Sequence, residues 1–424
     1  MIGEGDHTEH PEKAEIERKD SGSSKDLGLI TVAHAETHAQ SAVYSVLYPY
    51  IMQSLNFDTV ELGILVFATS LIGGLLQGVH GFLSRWIRRK NLLGAGNMFI
   101  GVTMALSSIA NNFPFFSATR IAGGVASSPQ HPVAASLMSD WYDKKKRGSA
   151  FSVHFAGGNI GTLVGPLAAG LLYVWVGWQK TLLILGLPGI VIGLLVFASL
   201  KDERKAGNWF KSKERTNRKS YLAAIHNTQA LKLMVARTMT SIGRGLGIVL
   251  TYVQLYLVQS LGLHATTAAL FITVLAAGSV FSPILGGNLA DRIGLRRPVI
   301  IGSLILSSVS LWLLVESGKY LPLVFASVLL LGLGVFNEGP LSQALLSDIV
   351  ADDERDGAFS LYFVVSYAGG AIWGLVIALI IVHYSFAAAF FTIVAANLFA
   401  CLIYFAVKES KSQSGKPTPV RSMV

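Results

Sequence analysis

At 424 residues, with 52% hydrophobic and only 14% charged residues and a mean hydropathy of +0.52, the chain is too apolar for an ordinary soluble protein. Its formal charge of +9 does not signal a nucleic-acid partner, because the cations sit in alternate loops beside apolar segments. A single cysteine, Cys401, excludes an internal disulfide framework and a cysteine-rich metal site.

Most apolar runs reach about 20 residues, enough to cross a hydrocarbon core about 30 Å thick as helices; barrel strands would be shorter and alternating. Residues 1–26 are polar and mixed in charge, with no signal-peptide core, and read as a disordered tail. Six spans follow, at about 27–53, 60–82, 92–111, 116–139, 149–175 and 181–200. Residues 201–230 form a basic connector. Six more spans lie at about 231–258, 266–287, 298–316, 321–347, 357–382 and 386–407, before a short tail at 408–424. The expected fold class is therefore all-α integral membrane, with twelve transmembrane helices in two six-helix halves, 27–200 and 231–407.

Orientation follows from the Lys/Arg asymmetry of short loops. One set of loops holds Arg85, Arg88, Arg89, Lys90, Lys144 to Arg147, the connector, Arg292, Arg296, Arg297, Arg355, Lys408 and Lys411; the other offers only Lys180 and Lys319. Both termini and the connector are expected in the cytoplasm, and the protein in the cell membrane, as a monomer surrounded by lipid.

The halves repeat. Gln53-Ser54-Leu55-Asn56-Phe57 matches Gln259-Ser260-Leu261-Gly262-Leu263, and Pro132 through Ser139-Asp140 matches Pro340 through Ser347-Asp348. Gly148-Ser149-Ala150-Phe151-Ser152 resembles Gly357-Ala358-Phe359-Ser360, and each half continues to a glycine pair, Gly157-Gly158 and Gly369-Gly370. Duplicated helical halves are the architecture of an alternating-access transporter with its site near the midplane.

Gly287-Asn288-Leu289-Ala290-Asp291-Arg292-Ile293-Gly294-Leu295-Arg296-Arg297 lies between the eighth and ninth spans. It resembles the loop signature of the major facilitator superfamily, Gly-x-Leu-x-Asp-Arg-x-Gly-x-Arg-Arg. In that reading Asp291 accepts charge-assisted bonds from Arg292, Arg296 or a neighbouring helix N-terminus, as a latch. Gly287 allows close helix approach and Gly294 a sharp turn; Arg297 completes the basic pair. The first-half copy, Gly81 to Lys90, has Arg85 where the Asp should stand and Arg88 where the second Gly should stand.

Gly161-x-x-x-Gly165-Pro166 in the fifth span resembles the motif of proton-linked drug exporters in the superfamily. Small residues at this spacing also pack helices closely, and proline kinks them. Arg120, with Gly124 four residues on, resembles the arginine motif of the fourth span. Arg120 is a candidate for binding an anion or assisting proton transfer, and alternatively pairs with a buried carboxylate or snorkels outward. His131-Pro132 and Gly157-Gly158-Asn159-Ile160-Gly161 give a finer resemblance to the fosmidomycin-resistance type of exporter.

Ionisable groups inside spans are costly, roughly 2.5–3.5 kcal/mol each at a helix centre, and mark function by default. By repeat alignment Gln130 and His131 correspond to Glu338 and Gly339, and His38 to Arg244. Glu338, beside Asn337, is an acidic candidate for carrying a proton, or else the partner of a buried cation. Arg120, Arg244 and a protonated histidine can each bind carboxylate or phosphate. At 100° per residue, His34, His38, Ser41 and Ser45 share one face of the first span, with Glu36 and Gln40 on the other. The spacing of His34 and His38 allows a two-histidine metal site, but no acidic or cysteine ligand shares their face, so no metal is assigned. Tyr252 and nearby Gln254 offer an amphipathic rim for an organic solute.

What the superfamily resemblance implies is a secondary transporter with rocking halves. No Gly-x-x-x-x-Gly-Lys-Ser/Thr loop is present, which argues against intrinsic ATP use, and no cofactor or catalytic residue is assigned. The expectation is proton-coupled transport of a small organic solute, an organic anion being the candidate class, with Glu338, His34 and His38 handling protons and Arg120 and Arg244 binding. Export is the favoured direction. A facilitator or anion exchanger of the same fold, a non-transporting membrane sensor and an intramembrane metalloenzyme are the alternatives.

Overall fold

A computed structural model describes residues 24–84, 86–142, 144–202, 225–241, 248–351 and 355–409, with backbone only at Gly81, Phe82, Lys144, Lys145, Arg147, Gly148, Arg355, Asp356 and Gly357. Its helices are α1 (Ser24–Leu55), α2 (Thr59–Leu83), α3 (Arg89–Ser107), α4 (Phe113–Ser127), α5 (Gln130–Trp141), α6 (Lys144–Ser199) and α7 (Thr228–Thr240). The remainder are α8 (Ile248–Leu255), running into a π turn at Tyr256–Ser260, α9 (Ala265–Ile293), α10 (Arg297–Glu316), α11 (Leu321–Val335), α12 (Glu338–Ile349), α13 (Arg355–His383) and α14 (Phe386–Phe405).

Seven helices among the described residues are long and apolar enough to cross a membrane. The fold makes twelve passes. One continuous run, α6, holds two of them, because Gly177 breaks it at φ +75°, a conformation open to glycine. Two other passes are built from paired segments. In the fourth, α4 is capped by Asn112, whose side chain accepts from Phe115 N–H, and the helix is interrupted at Ser128 and Pro129 before α5. In the tenth, α11 gives way at Phe336 and Asn337 to α12. The seventh pass holds α7 and α8.

The duplication is visible in the backbone. Asn56 and Gly262, which the repeat aligns, both adopt left-handed φ, +52° and +67°. Gln130 and Glu338, likewise aligned, are each the first residue of the segment after a break. Irregular backbone of this kind is tolerated at membrane depth where it lines a cavity or is buried in protein.

Three apolar cores hold the bundle. One draws on both halves, from Val43, Leu47 and Ile51 on α1 to Val249 and Val253 on α8 and Ile377 and Ala378 on α13. The other two are private. Ile30, Leu93, Leu137 and Val196 belong to one half, and Leu233, Ile300, Leu345 and Tyr404 to the other. The halves are thus joined at one end and part towards the end that carries Ser24 and Glu409. Across the shared end, Thr251 Oγ1 donates to Ser45 Oγ at 3.1 Å and Gln254 Nε2 to the Val46 carbonyl at 3.3 Å.

Glycines set the tightest packing. Gly161 and Gly165 on α6 press on the backbone of Ala35 and Ala39 on α1, leaving no room for a side chain at either position. That contact fixes the depth of α1.

At the parting end the loop signature closes differently from the expectation. Gly294 does turn the chain, at φ +74°, and its N–H bonds the Ala290 carbonyl at 2.9 Å. Asp291 and Arg292 are exposed, and among the described residues Asp291 accepts no charge-assisted bond. Arg296 instead pairs with Asp348, and the backbone N–H groups of Arg296 and Arg297 donate to Glu409 at 2.7 and 2.9 Å. The start of α10 holds the acidic groups because free N–H groups and the helix dipole favour an anion there. Gly287 has open space around it rather than a close helix contact. The other half mirrors the clamp: Arg89 bonds Asp140 at 2.8 Å and Asp202 at 3.4 Å, and Lys90 N–H donates to Asp202 at 3.3 Å.

Candidate functional site

A cavity of about 790 Å³ lies where the shared core gives way to the two private ones. Thr37, His38, Ser41, Ser45 and Tyr48 line it from α1, Arg120 from α4, His131 from α5, and Arg237 and Glu338 from the opposite half. Of the helical face read from the sequence, His38, Ser41 and Ser45 line it and His34 does not. Glu36 is not among the lining residues; it accepts a 2.7 Å bond from Gln40 Nε2 one turn on.

Two histidines of α1 meet two from elsewhere. His34 is 1% exposed, and its Nδ1 donates to the His154 carbonyl at 2.9 Å. Ring centroids of His34 and His38 are 4.5 Å apart, those of His34 and His131 5.0 Å, and those of His38 and His131 5.8 Å, each pair nearly perpendicular. The His154 ring stacks on His34 at 4.2 Å. Thr162 Oγ1 lies 3.4 Å from His38 Nδ1. All four rings belong to one half.

Arg120 is held by aromatics. Its guanidinium sits 3.6 Å over the Tyr44 ring and its Nε donates to Tyr48 Oη at 3.3 Å. Tyr44 is fixed in turn by a 3.0 Å bond to Ser107 Oγ. Among the described residues no carboxylate pairs with Arg120. Of the alternatives read from the sequence, pairing with a buried carboxylate is therefore not what the structure displays.

The opposite wall is neutralised. Glu338 forms an ion pair with Arg237 and accepts from Tyr404 Oη at 2.7 Å; Arg237 Nε donates to Ser366 Oγ at 2.9 Å. Both charged side chains are almost fully buried. Sequence reasoning missed Arg237, favouring Arg244 by repeat alignment. The available signal was Glu338 itself, for which a buried cation was one of the two roles considered.

His34 and three other expected residues lie off the cavity wall. Tyr252 is buried, and its hydroxyl donates to the Gly374 carbonyl at 2.6 Å. Asn337 Nδ2 donates to Ser303 Oγ at 2.9 Å, and Gln130 is 2% exposed without reaching the cavity. Tyr252 and Asn337 tie helices together instead. Arg244 lies outside the described residues.

The family model described as Major Facilitator Superfamily matches residues 32–264 and 233–422. The chain is 28% identical over 144 residues to the probable L-galactonate transporter of Escherichia coli (strain K12), a stretch that covers 34% of this chain and only 32% of that protein. It is 25% identical over 289 residues to the fosmidomycin resistance protein of the same organism, covering 66% of this chain and 68% of that one. A bacterial homolog of the human lysosomal transporter Spinster, solved inward-facing and occupied, shares the fold with a TM-score of 0.73 and 16% identity, over 91% of this chain and 97% of that chain.

Proposed function

The chain belongs to the major facilitator superfamily, and on that premise we propose that it carries a small anionic organic solute through the cavity between its halves, by alternating access coupled to proton movement. It is a membrane transporter, not an enzyme. The observation that carries the anionic reading is Arg120: a cation on the cavity wall, fixed by Tyr44 and Tyr48, with no carboxylate partner among the described residues. A guanidinium presents up to five donors in a planar fork matched to carboxylate or phosphate, and the aromatic platform leaves most of them for a ligand. Arg237 does not compete, being already paired. The names of the relatives fit this class, since galactonate is a sugar acid.

Proton coupling rests on Glu338, a cavity-lining carboxylate whose ion-pair partner is Arg237. Loading a proton on Glu338 frees Arg237 and adds a positive charge to one wall, a means of linking proton arrival to anion binding. One proton crossing about 100 mV supplies about 2.3 kcal/mol, enough for a gradient of roughly 50-fold. With the basic loops placed in the cytoplasm, the cavity parts towards that side, and an outward-directed cycle loads its solute there. We assign a monomer in the cell membrane with both termini cytoplasmic.

The test is flux in proteoliposomes across a panel of sugar acids, sugar phosphates, organic cations and neutral drugs. Transport of an anion that stops with an uncoupler and is lost in Arg120→Ala supports the reading. Selective transport of cations that is indifferent to Arg120→Ala and to imposed pH gradients overturns it.

A further inference from the structure

We propose that His34, His38 and His131 form a binding site for one divalent transition-metal ion of the zinc class. The spacing of His34 and His38 supplies two ligands from successive turns of α1, and the fold brings a third from α5. One ring nitrogen of each lies within 4.8 Å of the others. The rings are mutually perpendicular, at 84°, 83° and 87°, as ligands set around a common point rather than in a stack. Tetrahedral coordination at zinc–nitrogen distances of about 2.0–2.1 Å sets ligand nitrogens about 3.3 Å apart, within reach of small side-chain rotations.

A second observation points to the same ligand. The bond from His34 Nδ1 to the His154 carbonyl fixes the tautomer, so Nε2 carries a lone pair; that Nε2 is buried and has no hydrogen-bond partner. A carbonyl or carboxylate behind the ligating imidazole is the usual outer shell of a histidine metal site.

The donor set fixes the class of ion. Three neutral imidazoles suit zinc, nickel, cobalt or copper, and offer nothing to magnesium or calcium, which take oxygen ligands. Because His38 and His131 line the cavity, the remaining coordination position faces it, open to water or to an oxygen of a solute. All three ligands belong to one half, so the ion travels with that half and does not staple the two together. The site stands whichever solute is carried.

The experiment is equilibrium binding of Co²⁺ and Zn²⁺ to the tag-free, full-length protein in detergent, with the visible ligand-field bands of tetrahedral Co²⁺ as a second readout. One ion per chain is expected, displaced by Zn²⁺. His34→Gln and His131→Gln should each weaken binding by more than about 100-fold, exceeding the 10–100-fold typical of losing an outer-shell partner. His264→Gln, at an exposed position away from the cluster, should bind as the parent does. The tail histidines His7 and His10 are controlled by His7→Gln/His10→Gln, which should also retain the site. Absence of saturable binding by the parent overturns the proposal, as does unchanged affinity in both His34→Gln and His131→Gln. If either variant fails to elute as a monodisperse species, His38→Gln takes its place.

Discussion

Arg237 and Glu338 form a buried ion pair across the second half, from α7 to the first residue of α12, with Tyr404 bonding Glu338 and Ser366 bonding Arg237 Nε. Breaking such a pair from one side leaves an uncompensated charge, at a cost of about 3–5 kcal/mol. Glu338→Ala should therefore lower the melting temperature sharply. The double variant Arg237→Met/Glu338→Leu should recover much of the loss, because it removes both charges together. Equal melting temperatures for the single and double variants would contradict a coupled pair.

The architecture was legible because membrane spans are long, apolar and separated by charged loops, and because duplication repeats motifs at a fixed offset. The aligned residues Asn56 and Gly262, and Gln130 and Glu338, share backbone features in the structure. Helical periodicity likewise put His34 and His38 on one face and Glu36 off it. Periodicity stops at one helix, however. That His131 and His154 complete the cluster, that Arg237 answers Glu338, and that Glu409 takes the role expected of Asp291 all depend on contacts between distant segments. Tyr252 shows the converse limit: a tyrosine in a span looks the same in sequence whether its hydroxyl faces a cavity or the Gly374 carbonyl.

Arg120 should behave as a ligand group rather than a structural one. An anion that binds it gains charge-assisted hydrogen bonds worth about 1.5–3 kcal/mol each. Arg120→Ala should then weaken a stabilising anion by roughly 10- to 150-fold, and Arg120→Lys by less, since it keeps the charge but loses the fork. Thermal stabilisation as a function of anion concentration measures both. Neither change should strand a buried carboxylate, so the ligand-free melting temperature should move far less than in Glu338→Ala.

Small residues between α6 and α1 set the position of the histidine face. Gly161→Val or Gly165→Val puts a side chain against the backbone of Ala35 or Ala39, an overpacking cost of about 1–3 kcal/mol or more. Gly302 on α10 has open space and serves as the control: Gly302→Ala should be neutral or slightly stabilising. Similar losses at all three positions would show that the α1 contact is not what matters.

Alternating access requires the shared end to separate. Ser45 and Thr251 touch there, Oγ to Oγ at 3.1 Å, close enough for a disulfide once both are cysteine. In a Cys401→Ser background, oxidised Ser45→Cys/Thr251→Cys should lose transport and regain it on reduction, while the single variants stay active. Full activity of the verified disulfide-linked form would rule out rocking about this end.

The two clamps at the parting end have the same topology and different burial, which predicts different energetics. Arg296 and Asp348 are 25% and 48% exposed, a solvated pair of the kind worth about 0–1 kcal/mol and weakened by salt. Arg89 and Asp202 are 6% and 1% exposed, and Asp202 also holds the Lys90 N–H at the start of α3. Removing Asp202 leaves Arg89 buried with only Asp140 and Ser136. Asp202→Asn should therefore destabilise by more than Asp348→Asn, and its effect should persist at high salt while that of Asp348→Asn fades. Melting curves of the two variants at low and high ionic strength decide the matter, and a larger loss from Asp348→Asn would mean that burial does not rank these clamps.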